Sequence, residues 1–88
     1  MPSMRVVHYS GSATTAPVKI PINSGLAQRI NIRNLDATNG LEVSFDAGRS
    51  FYTIPATGFP LDIYCSLHFF YVRSTAGTAA WCAVTNEG

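Results

Sequence analysis

Gly and Pro recur at short intervals along this chain and divide it into apolar segments of five to eight residues, rich in Val, Ile, Tyr, Phe and Thr. Segments so short cannot carry the i, i+3, i+4, i+7 stripe and caps of an amphipathic helix. β-branched and aromatic side chains instead favour a pleated, half-buried surface. About eight such segments at spacings near ten residues predict an all-β chain, a small β-sandwich or jelly-roll-like fold of about eight short strands. A small, partly open barrel fits the same punctuation, and the strand order is left open.

The segments differ in what they allow. Val18–Ile22 alternates, but Pro17 and Pro21 remove backbone donors, which restricts this segment to a sheet edge. In Gln28–Asn34, Ile30 and Ile32 share one face while Arg29, Asn31 and Arg33 share the other. The Asn39-Gly40 pair suits positive φ, and Leu41, Val43 and Phe45 then alternate with Glu42, Ser44 and Asp46. Asp46-Ala47-Gly48-Arg49 reads as a reversal with Gly48 left-handed, pairing that strand with Ser50–Ile54. Pro55–Gly58 is the next turn, followed by strands over Phe59–Cys65, Leu67–Arg73 and Ala79–Thr85, with Ser74–Thr78 turning into the last. The Leu67–Arg73 segment is apolar on both faces, which predicts a central strand or one covered by a neighbouring subunit.

Two regions follow from this pattern. Residues 1–16 read as an N-terminal strand or arm, Met4–Tyr9, with a flexible small-residue loop, Ser10–Ala16; residues 17–88 read as a single β domain. A chain of 88 residues has room for one core. Burying apolar surface gives such a chain a gain of about 130 kcal/mol against a conformational entropy cost of about 130 kcal/mol, so partner contacts would add usefully to its stability. Only 12% of residues are charged while 47% are hydrophobic, which predicts a surface suited to burial in an assembly, a homo-oligomer of dimer or trimer type. A formal charge of +1 argues against direct nucleic-acid binding, where several phosphates must be neutralised. No apolar run approaches the roughly 20 residues of a membrane-spanning helix, and Met1–Arg5 lacks the features of a secretory signal. Synthesis in the cytoplasm is therefore expected, and with it reduced Cys65 and Cys82.

Catalytic and metal chemistry find little support. Cys65-x-x-His68, with Cys82 and His8 at a distance, is half of a zinc-binding pattern, and structural zinc sites show two closely spaced ligand pairs. No nucleophile elbow, phosphate loop, dinucleotide fingerprint or H-E-x-x-H occurs, and a sandwich of this size offers little depth for a pocket of ~300 Å³. No enzyme activity, metal or cofactor is expected. Trp81, Tyr52, Tyr64 and Tyr71 could form a stacking platform for a sugar, and equally supply the core and subunit contacts.

The phrase running from Leu41-Glu42-Val43-Ser44-Phe45-Asp46-Ala47-Gly48-Arg49-Ser50-Phe51 to Ile54-Pro55-Ala56, continued by Phe70-Tyr71-Val72-Arg73-Ser74 and Ala76-Gly77-Thr78-Ala79, resembles small virion proteins of tailed bacteriophages. The likeness spans roughly residues 29–84 and departs at Thr57–Pro60 and at the two cysteines. It implies a compact β-sandwich that binds the outside of a phage head as a capsid decoration or cement protein, or another minor head or tail component. The implied partner is the major capsid protein and the implied location the virion, assembled in the host cytoplasm. The alternative is a small carbohydrate- or host-surface-binding module of a head or tail fibre. Contact residues expected on this reading are Arg5, Val6, His8 and Tyr9 in the arm, with Arg29 and Arg33 as rim charges.

Overall fold

The computed structural model describes residues 5–87. They form eight strands: β1 (Arg5–Ala13), β2 (Val18–Pro21), β3 (Ala27–Asn34), β4 (Leu41–Ser44), β5 (Tyr52–Ile54), β6 (Leu61–Leu67), β7 (Phe69–Ser74) and β8 (Ala79–Glu87). Two four-stranded sheets have the orders β1-β8-β3-β6 and β2-β7-β4-β5, with antiparallel pairing throughout. Strands 1 and 8, 2 and 7, 3 and 6, and 4 and 5 are partners, as when one long antiparallel ribbon is wrapped into two layers. That is the strand order of a jelly roll.

Alternation decides what lies between the layers. Along β8, Ala79, Trp81, Ala83, Thr85 and Glu87 are buried while the residues between them are half-buried. Ile30 and Ile32 from β3 meet Leu41 and Val43 from β4, Ile54 from β5 and Phe70 and Val72 from β7 in one core. The Phe70 ring links the layers, edge-on to Trp81 with centroids 5.9 Å apart and edge-on to Tyr9 at 6.4 Å. Trp81, 3% exposed, is thus a core residue. Gly11 of β1 lies over it, where an added Cβ would rest 3.4 Å from the indole.

The N-terminal region departs from expectation. Met4 lies outside the described residues, and Ser10–Ala13, read as flexible loop, continues β1, which pairs with β8 over nine positions from Arg5↔Glu87 to Ala13↔Ala79. Small polar residues serve here because this end of β1 needs backbone pairing and a Gly beside Trp81, not bulk. The boundary expected at residue 16 therefore falls inside one sandwich, in the connection from β1 to β2. β2 is an edge strand and β7 is central in its sheet, both as expected. β6 and β7 begin two residues later than expected and are separated only by His68, whose Nδ1 lies 2.6 Å from the Gly25 carbonyl.

Loop geometry contains two further departures. Gly40 does not take positive φ; its Cβ would lie 3.1 Å from Thr75 Cγ2, so glycine serves close approach between two loops. The loop is instead shaped by Asp36, which accepts the Thr38 and Asn39 N–H groups at 2.9 and 2.5 Å, and by buried Asn34, whose Nδ2 donates to the carbonyls of Asn39 and Ile54. In the β4–β5 connection both Ala47 (φ 63°) and Gly48 (φ 83°) are left-handed, the pair of values a type I′ turn requires.

The last strand extends two residues beyond the expected Thr85 and buries Glu87 completely. Its carboxylate accepts hydrogen bonds from the Tyr9 hydroxyl, from Thr85 Oγ1 at 2.5 Å and from the Ser24 N–H at 3.0 Å. Asn23 N–H donates in turn to the Tyr9 oxygen at 2.9 Å. Burial alone would raise the Glu87 pKa, but the hydrogen bonds from Thr85, Tyr9 and Ser24 outweigh it and hold the group below the usual carboxylate range. This network ties β1 and β8 to the loop entering β3.

Candidate binding face

The outward surface of the β1-β8-β3-β6 sheet is built by residues that alternate with the core. Register aligns them in rows: Val6, Asn86, Arg29 and Tyr64; then His8, Val84, Asn31 and Asp62; then Ser10, Cys82 and Arg33. Four of the six expected contact residues, Val6, His8, Arg29 and Arg33, are thereby brought onto one sheet face although they come from two segments more than 20 residues apart. The other two are not. Tyr9 turns inward to Glu87 and Phe70, and Arg5, though exposed, alternates onto the side of β1 that carries Tyr9.

Charge on this face is largely paired. Arg29 donates from Nε and Nη2 to the two oxygens of Asp62 at 2.9 and 2.7 Å, and its guanidinium lies 5.2 Å from the Tyr64 ring centroid. The hydrogen bond to Arg29 lowers the Asp62 pKa, and the same bond raises that of Arg29. Among the described residues Arg33 has no carboxylate partner, leaving it as the free cation of the face. Around these charges stand exposed Val6 (62%) and Tyr64 (77%), with Val84 half-buried. Val6 and Tyr64 thus stand on the edge strands β1 and β6, with Arg29, Asn31, Arg33 and Asn86 on the strands between them, and aromatic and arginine side chains are enriched where one protein surface covers another.

The remaining candidates separate. Cys82 is on this face near His8, whereas Cys65 packs inward against the core, where burial pushes its thiol pKa up. The cysteines thus occupy opposite sides of one sheet, and the four possible zinc ligands are not gathered. Tyr52 and Tyr64 are exposed on different sheets, so the four aromatic residues considered for a platform are dispersed.

Two features were not anticipated from the sequence. On the outer surface of the second sheet, Lys19 Nζ lies 4.5 Å from the Phe69 centroid and the Arg73 guanidinium 3.7 Å from that of Phe51, while Arg73 Nε donates to Glu42 at 2.8 Å. Phe69 and Tyr71 meet edge-on at 5.9 Å. These cation–aromatic contacts explain why so apolar a central strand is only half-buried outside: cationic stems and rings cover one another. The available signal was Phe69, Tyr71 and Arg73 at alternate positions.

The second feature is a cleft of about 350 Å³ at the β4–β5 hairpin, lined by Val43, Phe45, Asp46, Ser50, Phe51 and Tyr52. It is an open depression of the hairpin surface, in keeping with the little depth expected of so small a sandwich. Its one carboxylate is already engaged: Asp46 accepts from Ser44 Oγ at 2.7 Å, Ser50 N–H at 2.9 Å and Ser50 Oγ at 2.5 Å. These hydrogen bonds, from Ser50 first, lower its pKa to about 2. Asp46 therefore shapes the loop, and the aromatic walls are what the cleft offers a guest. No protein-family model matches this sequence, and comparison with curated proteins finds no similar chain.

Proposed function

We propose that this chain is a structural component of a phage particle, a decoration or cement protein that binds the major capsid protein on the outside of the head as a homo-oligomer. The observation that carries the reading is the gathering of Val6, His8, Arg29 and Arg33 with Tyr64 on one sheet face, where exposed apolar and aromatic side chains stand beside the arginines. Repetition over a shell turns a modest contact of this kind into a stable one, because each neighbour reinforces the others. The resemblance of residues 41–56 and 70–79 to small tailed-phage virion proteins points the same way. A carbohydrate-binding reading is weaker, since Trp81 is in the core and Tyr52 and Tyr64 belong to different sheets.

Calorimetry of heads of the phage that encodes the chain, with and without the purified protein, tests this. Saturable binding, a raised shell melting temperature and loss of both in Arg33→Glu are expected. Unchanged melting together with no co-sedimentation would remove the proposal.

A further inference from the structure

Each of the two sheets ends in two edge strands, and three of the four edges are blunted in ways that discourage pairing with another chain. β2 lies between Pro17 and Pro21 with Lys19 in its middle, and β5 has only three residues. β6 follows Pro60, carries Asp62, and has a register shift where it pairs with β3 beside Ala27 and Arg29. β1 has none of these devices. It pairs with β8 over nine positions without a shift, contains no proline, and has its one formal charge, Arg5, at its end.

Register decides which backbone groups of β1 are free. The Leu35 N–H donates to the Ala80 carbonyl at 2.8 Å, and this pair continues the β3–β8 register. In an antiparallel ladder successive residues of a strand bond to opposite sides, so the even-numbered residues of β8 bond to β3 and the odd-numbered ones to β1. The Val7 carbonyl, 3.5 Å from Thr85 Oγ1, is accordingly turned to β8. Val7, Tyr9, Gly11 and Ala13 therefore bond to β8, and the N–H and C=O groups of Val6, His8, Ser10 and Ser12 point out of the sheet edge. Among the described residues none of these outward groups has a hydrogen-bond partner.

Such an edge is complementary to itself. When a second β1 runs antiparallel about a two-fold axis at Tyr9, Val6 falls opposite Ser12 and His8 opposite Ser10, and every outward group gains a partner. This axis alone pairs β1 with itself along its whole length. Side chains match in the same register: Val6, Val7 and His8 of one copy face Ser12, Gly11 and Ser10 of the other, bulky against small. Arg5 faces Ala13, so no like charges meet.

We infer that two copies join edge to edge through β1 in a closed two-fold dimer, whose sheet runs β6-β3-β8-β1-β1-β8-β3-β6. The outer face that carries Val6, His8, Arg29 and Arg33 then continues across both copies. The inference names the contact of the homo-oligomer in the proposed function and rests on that part of the reading alone.

Sedimentation velocity on the purified chain over a range of concentrations, combined with amide hydrogen exchange read residue by residue, tests it. A dimer that grows no larger is expected, with the amides of Val6, His8, Ser10 and Ser12 protected alongside those of Val7, Tyr9 and Gly11. Dilution to the monomer is expected to release the first set and not the second. Ser10→Pro removes an N–H that faces the second copy and not β8, a position where an edge strand tolerates proline. It is expected to weaken dimerisation on the order of a hundredfold, through the hydrogen bond lost from each copy and the ring set into the contact, with unfolding still cooperative. A native chain that stays monomeric, or a dimer in which the Val6, His8 and Ser10 amides exchange as fast as in the monomer, would overturn the inference, and both readouts need no variant. A folded Ser10→Pro protein that dimerises like the native one would overturn it too. If the native chain is monomeric and Ser10→Pro abolishes head binding, the edge pairs with a strand of the shell and the self-contact is refuted. Because no phage head is present in the association experiment, failure there leaves the decoration reading standing, and failure of head binding leaves this dimer standing.

Discussion

Glu87 shows how much one side chain at the end of the sequence can organise. An ionised carboxylate without partners would be costly in the core, and three donors, Tyr9, Thr85 and the Ser24 N–H, offset that cost. Tyr9→Phe removes the hydroxyl that donates to Glu87 and accepts from Asn23. It leaves the ring against Phe70, so the loss is one of hydrogen bonding, not of packing. We expect a loss of about 1–3 kcal/mol, read as a lower urea midpoint at unchanged m-value. Nothing in Val84-Thr85-Asn86-Glu87 advertises this role. Alternation does place Glu87 on the Trp81 side of the strand, but a sequence shows a terminal acidic residue as solvent-facing unless its partners are known, and these come from positions 9 and 24.

At the level of elements, the β4–β5 hairpin was legible almost whole. Alternation from Leu41 to Phe45 and the Asp46-Ala47-Gly48-Arg49 reversal predict it, and the register Leu41↔Ile54, Glu42↔Thr53, Val43↔Tyr52 follows. Ala47 shares the left-handed conformation with Gly48, which neither alternation nor turn composition reveals. Ala has a Cβ that disfavours this region, and Asn tolerates it by bonding its own backbone. Ala47→Asn is therefore expected to raise stability by about 0.5–1 kcal/mol, seen as a higher thermal midpoint with the Asp46 network intact. β1 is the opposite case. Its C-terminal half, Ser10–Ala13, has the composition of a loop, and it is a strand because β8 offers an unpaired edge and Trp81 needs a glycine above it. Tertiary pairing overrides weak local preference wherever side chains are small.

For the molecule as a whole, acid is the condition that most affects the charges. Of the five acidic residues, Asp36, Asp46, Asp62 and Glu87 all have pKa values lowered by hydrogen bonds or, for Asp62, by its bond to Arg29. A lowered folded pKa means stability that is fully present above the unfolded value of about 4 and lost as pH falls through the folded value. The thermal midpoint is thus expected to be flat from neutrality to about pH 5 and to fall steeply between about pH 4 and pH 2. Asp46, at about 2, is the last to release its loop. A midpoint unchanged down to pH 2 would contradict these networks. The all-β class, the central position of β7 and the edge position of β2 follow from periodicity and proline, which act through each residue's own backbone and its nearest neighbours. Strand order, the burial of Trp81 and Glu87, and the meeting of Val6 and His8 with Arg29 and Arg33 on one sheet face arise otherwise. They depend on which segments become neighbours when the ribbon wraps into two sheets, and that is a property of long-range contacts no local pattern encodes.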